Sequence, residues 1–303
     1  MSEPTTSTQG PIPGPTGAIH DIGYRHYDGP RLGAGYIARS LYVDTLRGAY
    51  GLGRSARTKV MPFLLLSLMV LPAVAIGIVT SYFKLTTLPI GYTSYAFSFQ
   101  VVITIFLGSQ APAAMSRDLR FRVAALYFSR PLSRQQYVQA KFAGMATALF
   151  ILVGLPVTLL FAGAVLADLP FDDQWPDYLR AMGGAAVLAV VLAGIGLVVA
   201  SLTPRRGLGV AAVVGVLLVT SGIQATVRAM AEEFGSDTFA GYAGLISPFT
   251  LMDGVMAGPL GAVSVMATPP EGLAMATVFC LVAALLVVGS YVALVRRYGK
   301  ALS

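Results

Sequence analysis

The sequence predicts an all-α integral membrane protein. It should have six transmembrane helices with both chain ends in the cytoplasm, an N-terminal interfacial amphipathic helix, and a short outer helical element between spans five and six. Three observations predict this. Six stretches long enough to cross a bilayer carry no charge, and the basic residues crowd into alternate connections between them. Only 12% of the 303 residues are charged while 55% are hydrophobic, whereas a soluble domain carries about 25% charged residues. With a mean hydropathy of +0.71, most of this chain has lipid for its solvent. A net charge of +7 raises nucleic acid as a partner. The basic residues lie between apolar stretches rather than along one polar surface, so no nucleic-acid partner is expected.

Residues 1–31 read as a disordered cytoplasmic tail. Its first 18 residues are mostly Ser, Thr, Pro and Gly, too few large apolar side chains to offset the entropy of ordering. The tail lacks the basic start and apolar run of a signal peptide. Its end, Tyr24 to Arg31, places two tyrosines among alternating charges. That suits either a small polar interface or a linker.

Residues 32–58 are expected to form the interfacial helix. Projected over 32–54, Ile37, Leu41, Tyr42, Leu46, Ala49 and Leu52 share one side, and Arg39, Ser40, Asp44, Arg47 and Arg54 the other. Tyr36, Val43 and Tyr50 blur the polar side. Such a helix lies in the membrane surface with its arginines near anionic lipid.

The spans follow within 60–297, at about 60–83, 95–115, 142–167, 181–203, 207–228 and 272–295. Crossing the hydrocarbon takes about 20 apolar residues as helix, and these runs are continuously apolar rather than alternating, which excludes barrel strands. The second run is polar and turn-like before residue 95. With the N-terminus inside, the cytoplasmic connections carry seven, six, two and three Lys and Arg, eighteen in all, against Lys84, Arg180 and Arg228 outside. Basic residues near span ends stay in the cytoplasm, so the asymmetry sets the expected orientation. The outer connection 229–271 contains Ser247-Pro248-Phe249 and Asp253 and is apolar enough to dip back into the outer leaflet as short helices.

Catalysis finds no support. The two histidines, His20 and His26, precede the first span, and no nucleophile elbow or Cys/His metal spacing occurs. The lone Cys280 has no partner for an intrachain disulfide. Gly194-Ile195-Gly196 and Gly207-Leu208-Gly209 do not complete a dinucleotide fingerprint and suit close helix packing instead. Apart from Arg228 at the very end of the fifth, no predicted span holds a charged residue, which argues against ion-coupled transport. Gln100 and Gln110 in the second span, and Thr220, Ser221 and Gln224 in the fifth, either hydrogen-bond between helices or line a pathway.

The connection between spans two and three is the richest segment. From Asp118 to Phe128 it suits a short helix with Leu119, Val123, Leu126 and Tyr127 on one face, and Arg120, Phe121 and Arg122 among the rest. Pro131 stops that helix, because the residue before a proline avoids helical geometry. Ser133 and Gln136 then match a capping box that starts the next helix. A helix, a proline stop and a capped restart make a rigid elbow, and a rigid elbow can transmit a push.

At these residues the chain resembles the permeases of type-two ABC exporters. In that family a coupling helix precedes a Ser-Arg-Pro-x-Ser-Arg stretch, which stands here as Ser129-Arg130-Pro131-Leu132-Ser133-Arg134. The likeness extends to the interfacial helix, the six spans and the Ser247-Pro248-Phe249 segment. The chain lacks a phosphate-binding loop; Gly299-Lys300 is followed by Ala301. The resemblance implies that the chain is not itself an enzyme. ATP and Mg²⁺ would be bound by a separate cytoplasmic ABC ATPase docked on Asp118–Phe128, with Arg130, Pro131, Ser133 and Arg134 forming the elbow. It also implies a dimer, with a second copy or a paralogous permease, in a bacterial cytoplasmic membrane. An Ala-rich chain with 17 Arg and 4 Lys fits a GC-rich bacterial source. Charge-free spans point to an apolar or amphipathic solute. The rival reading is a non-transporting mechanotransmitter or scaffold that signals to a partner outside.

Overall fold

The computed structural model describes residues 29, 32–120, 132–203, 205–266 and 272–300, with side chains at all of these except 116–120 and 300. The chain divides into Met1–Leu32 and Gly33–Ser303, and the fold below is that of the second unit. Every regular element among the described residues is a helix. In chain order they are α1 Ala34–Ala49, α2 Ala56–Tyr82, α3 Tyr92–Ser98, α4 Gln100–Arg120, α5 Arg134–Leu166, α6 Phe171–Leu202, α7 Arg206–Glu233, α8 Asp237–Ala243, α9 Pro248–Leu260 and α10 Gly272–Lys300.

Among the described residues five helices (α2, α5, α6, α7 and α10) are long and apolar enough to cross a membrane. The pair α3–α4 makes a sixth if it is counted as one span, broken by a 59° bend. At 1.5 Å per residue, the 27 residues of α2 cover roughly 40 Å, more than the hydrocarbon thickness. Pro72, Pro156 and Pro176 sit inside α2, α5 and α6, which neighbouring helices make tolerable in a membrane.

The bend at Phe99 has no proline or glycine behind it. Side-chain tethers turn α3 instead. The Tyr92 hydroxyl donates to Gln174 Oε1 of α6 at 2.7 Å, the Tyr95 hydroxyl donates to the Met69 carbonyl of α2, and the Tyr95 and Phe99 rings lie 4.7 Å apart.

The core is built on α5 and α6. In its most apolar 18-residue stretch α6 is 61% buried and α5 44%, against 17% for α7. Lipid supplies no hydrophobic drive for helix association, so small residues and close contact must hold the bundle. A Cβ built on Gly163 of α5 would stand 2.8 Å from the Gly77 Cα of α2, so these backbones touch. The Gly194–Gly196 pair serves packing: a Cβ at Gly194 would meet Ser290 of α10, and one at Gly196 would meet Leu107 of α4.

The N-terminal helix differs from the sequence expectation. It ends at Ala49 rather than continuing through 54, because Gly51 and Gly53 take φ of +66° and +81° and reverse the chain. Leu52, expected on the apolar side, is therefore exposed. Tyr50, which seemed to blur the polar side, is buried and donates its hydroxyl to the Ala148 carbonyl of α5 at 2.8 Å. Burial pushes its phenol pKa above the ordinary tyrosine value.

Candidate functional site: the elbow end of the bundle

The elbow expected from the sequence is described in part. Asp118, Leu119 and Arg120 are the last three residues of α4. Phe121, Arg122, Val123, Leu126, Tyr127, Phe128, Arg130 and Pro131 lie outside the described residues. The far side of the elbow is described: Ser133 N-caps α5, its Oγ accepting from the Gln136 backbone N–H at 3.2 Å while its own N–H donates to Gln136 Oε1 at 3.0 Å. Both arms of the capping box are present. This satisfies two backbone groups that the first turn leaves orphaned. Arg134 follows as the first residue of α5, with its guanidinium near Gly299 of α10.

Around the two stems of the elbow, four helices are tied together by side chains that sequence reasoning did not single out. Lys141 of α5 is 5% exposed and donates its ammonium to the Ala114 carbonyl of α4 at 3.1 Å. The same ammonium stands 5.8 Å from the centre of the Tyr137 ring, one turn earlier on α5, a distance at which a ring face attracts a cation. Tyr137 lies against Tyr298 of α10, with ring centres 5.1 Å apart, and the Tyr298 hydroxyl reaches Met115 Sδ of α4 at 3.5 Å. Next to it Arg297 donates from Nε to the Ser201 carbonyl at 2.7 Å. Ser201 belongs to the last turn of α6, whose carbonyls have no partner further along the helix. One knot thus joins the end of α4, the start of α5, and the C-terminal ends of α6 and α10.

The sequence carried a signal for this. Tyr137 and Lys141 are four residues apart, hence neighbours on one helix face, and Tyr298 directly follows two arginines. By sequence alone Lys141 is a loop charge one residue before the third span.

The five polar span residues do not converge. Among the described residues, no two of Gln100, Gln110, Thr220, Ser221 and Gln224 are hydrogen-bonded to one another. Gln100 is half-buried at the start of α4. Gln110 is buried, and its Nε2 donates to Ser109 Oγ at 3.0 Å. Thr220 donates to the carbonyls of Val216 and Leu217 in its own helix. Ser221 shares a 3.1 Å hydrogen bond with Ser247, the N-cap of α9. Gln224 is 5% exposed, and its Nε2 has no hydrogen-bond partner among the described residues.

At the opposite end, α9 is buried from Pro248 to Met256. Within it Asp253 is 1% exposed. Its carboxyl group accepts from Ser264 Oγ at 2.5 Å and from the backbone N–H groups of Val265 at 3.1 Å and Met266 at 3.4 Å. Phe161, Phe171, Trp175 and Tyr178 cluster where α5 ends and α6 begins, with the Phe161 and Tyr178 rings stacked 4.5 Å apart. Aromatic girdles of this kind are usual where a membrane helix meets water. No group of three metal-ligating side chains occurs among the described residues.

A protein-family model described as ABC-2 family transporter protein matches residues 124–298, more than half of the chain. The match begins inside the expected coupling helix and ends at Tyr298 in the knot. No curated protein matches the chain.

Proposed function

The chain belongs to the ABC-2 transporter family, and on that premise we propose that it forms the membrane half of an exporter driven by a separate cytoplasmic ABC ATPase. The permease role follows from the family; the partner, the solute and the direction are the proposal. The observation that carries it is that a family match of 175 residues falls on a sequence with no phosphate-binding loop. A transporter of this class without its own nucleotide site draws its work from another subunit.

In this reading the basic end faces the cytoplasm of a bacterial cell, and a second copy or a related permease completes the pathway. ATP and Mg²⁺ bind between the ATPase subunits. Their closure carries Asp118–Phe128, and the elbow at Arg130, Pro131, Ser133 and Arg134 passes the movement into α4 and α5. The knot supports this route, because a displacement entering at the stems of α4 and α5 reaches α6 and α10 through Lys141, Tyr298 and Arg297. Gln110 and Gln224, both inward-facing amides, are the best placed of the five polar residues to line the pathway. Spans without charge suit an apolar or amphipathic solute.

The test is Tyr127→Asp together with Phe128→Asp in the purified permease–ATPase complex. Converting these two aromatic side chains to acids should abolish ATPase association and solute-stimulated hydrolysis, while the permease still folds and elutes as the wild type. Association and transport at wild-type levels would overturn the coupling assignment. ATPase retained without transport, together with a partner held on the outer loops, would favour the mechanotransmitter reading.

A further inference from the structure

The turn after α1 folds an arginine back over the helix it leaves. Gly51 sits at φ +66°, and a Cβ there would lie 2.5 Å from the Thr58 carbonyl oxygen. Only glycine lets the chain pass at that point. The reversal brings Arg54 Nη2 to 3.3 Å from where a Cβ on Gly48 would stand, and Arg47 Nη2 lies 3.9 Å from the same point on Gly53. Two guanidinium groups therefore reach across the helix–turn junction from opposite sides. With Arg39 they line an open pocket of about 650 Å³. Among the described residues no carboxyl group pairs with any of the three; Asp44 also lines the pocket and makes no ion pair. The pocket is not purely polar. Val43 and Leu52 line it as well and are 37% and 40% exposed.

Its depth along the bundle follows from the other side of α1. Thr45 packs on Gly144 of α5, the Tyr42 hydroxyl donates to Thr147 Oγ1 at 3.1 Å, and the Tyr50 hydroxyl donates to the Ala148 carbonyl. These α5 residues open its charge-free stretch, directly after Lys141. If α5 crosses the bilayer, the pocket stands at the rim of the hydrocarbon, where lipid phosphates lie.

We propose that this pocket binds the phosphate headgroup of an anionic phospholipid. Arg47 and Arg54 hold the phosphate oxygens, and Val43 and Leu52 meet the glycerol and first acyl carbons. Paired guanidinium forks match phosphate geometry, and the apolar wall beside them fits a phosphate that carries a tail rather than a free ion. The inference rests on membrane embedding and not on the ATPase partnership, so the two can fail separately.

The experiment titrates short-chain phosphatidylglycerol, with phosphatidylcholine as reference, into the full-length protein in neutral detergent, read by native mass spectrometry. The wild type should bind phosphatidylglycerol saturably. Arg47→Ala and Arg54→Ala should each weaken binding roughly fivefold, the value of one basic side chain at an anionic surface. Arg57→Ala and Lys59→Ala, outside the pocket, should change it less than twofold. Arg47→Lys with Arg54→Lys, which keeps the charge and loses the fork, should bind with intermediate affinity, and all variants should elute as the wild type. Inorganic phosphate and glycerol phosphate should not compete at the lipid's concentration. Equal weakening by the pocket and control variants would reduce the site to diffuse surface charge and overturn the proposal. Competition by free phosphate at equal strength would overturn the lipid as ligand. Lipid binding unchanged in the double alanine variant, with ATPase association lost, would make the pocket a protein contact instead.

Discussion

Lys141 at the elbow end and Asp253 at the opposite end are both buried ionisable side chains, yet each is satisfied in a different way. Asp253 is held by the segment that follows its own helix: its partners Ser264, Val265 and Met266 lie 11 to 13 residues downstream. Lys141 is held by a carbonyl of another helix, 27 residues upstream, across the whole elbow. The acid closes a local loop and fixes the shape of α9. The base ties two helices whose relative position the proposed function needs to move. A buried polar group costs free energy unless it is paired, so each pairing was placed where that cost secures something. At one end it secures a fixed element, and at the other a joint.

The largest expected effect breaks the fixed end. Asp253→Ala leaves the Val265 N–H and the Ser264 hydroxyl without their acceptor in a half-buried setting, while the Met266 N–H keeps Ser264 Oγ at 3.0 Å, and each orphaned group costs roughly 1–3 kcal/mol. We expect a loss of about 3 kcal/mol, seen as a lower midpoint of thermal unfolding in detergent and as protease sensitivity confined to 248–266. Asp253→Asn, which keeps one acceptor oxygen, should fall between. Unchanged unfolding would show that the loop bonds are not formed in the membrane protein.

A smaller effect is expected at the joint. Lys141→Met removes the bond to Ala114 and the charge over Tyr137 while keeping the side-chain volume, at a cost of about 1–2 kcal/mol. Its distinguishing readout is coupling: more ATP hydrolysed per solute moved, with ATPase association intact. Lys141→Arg, which preserves a donor and a charge, should restore much of the ratio. A loss of stability with coupling unchanged would make Lys141 a packing residue like any other.

How much of this was legible in the sequence follows the same division. The long helices were plain, because lipid demands continuous apolar runs with every backbone group satisfied internally. The start of α5 was readable from Ser133 and Gln136, since capping is local chemistry. What escaped reading was set by distant partners. The bend at Phe99 comes from Tyr92 and Tyr95 reaching α6 and α2, with no breaker residue to announce it. Tyr50 looked polar-sided in projection because the projection continued a helix that Gly51 stops. By sequence Lys141 is a loop charge and Asp253 part of an outer connection that dips into the leaflet, and only tertiary hydrogen bonds reveal that both are buried.

The measurement that tests the central claim most directly is the sidedness of the elbow. Cys280, the sole cysteine, is replaced by Ala, and Ser129→Cys is introduced between the stems of α4 and α5. A membrane-impermeant maleimide is then applied to intact cells and to inside-out vesicles. Labelling only in the inside-out vesicles is the predicted result, placing the elbow where a cytoplasmic ATPase can meet it. Labelling in intact cells would put that end outside and contradict the account.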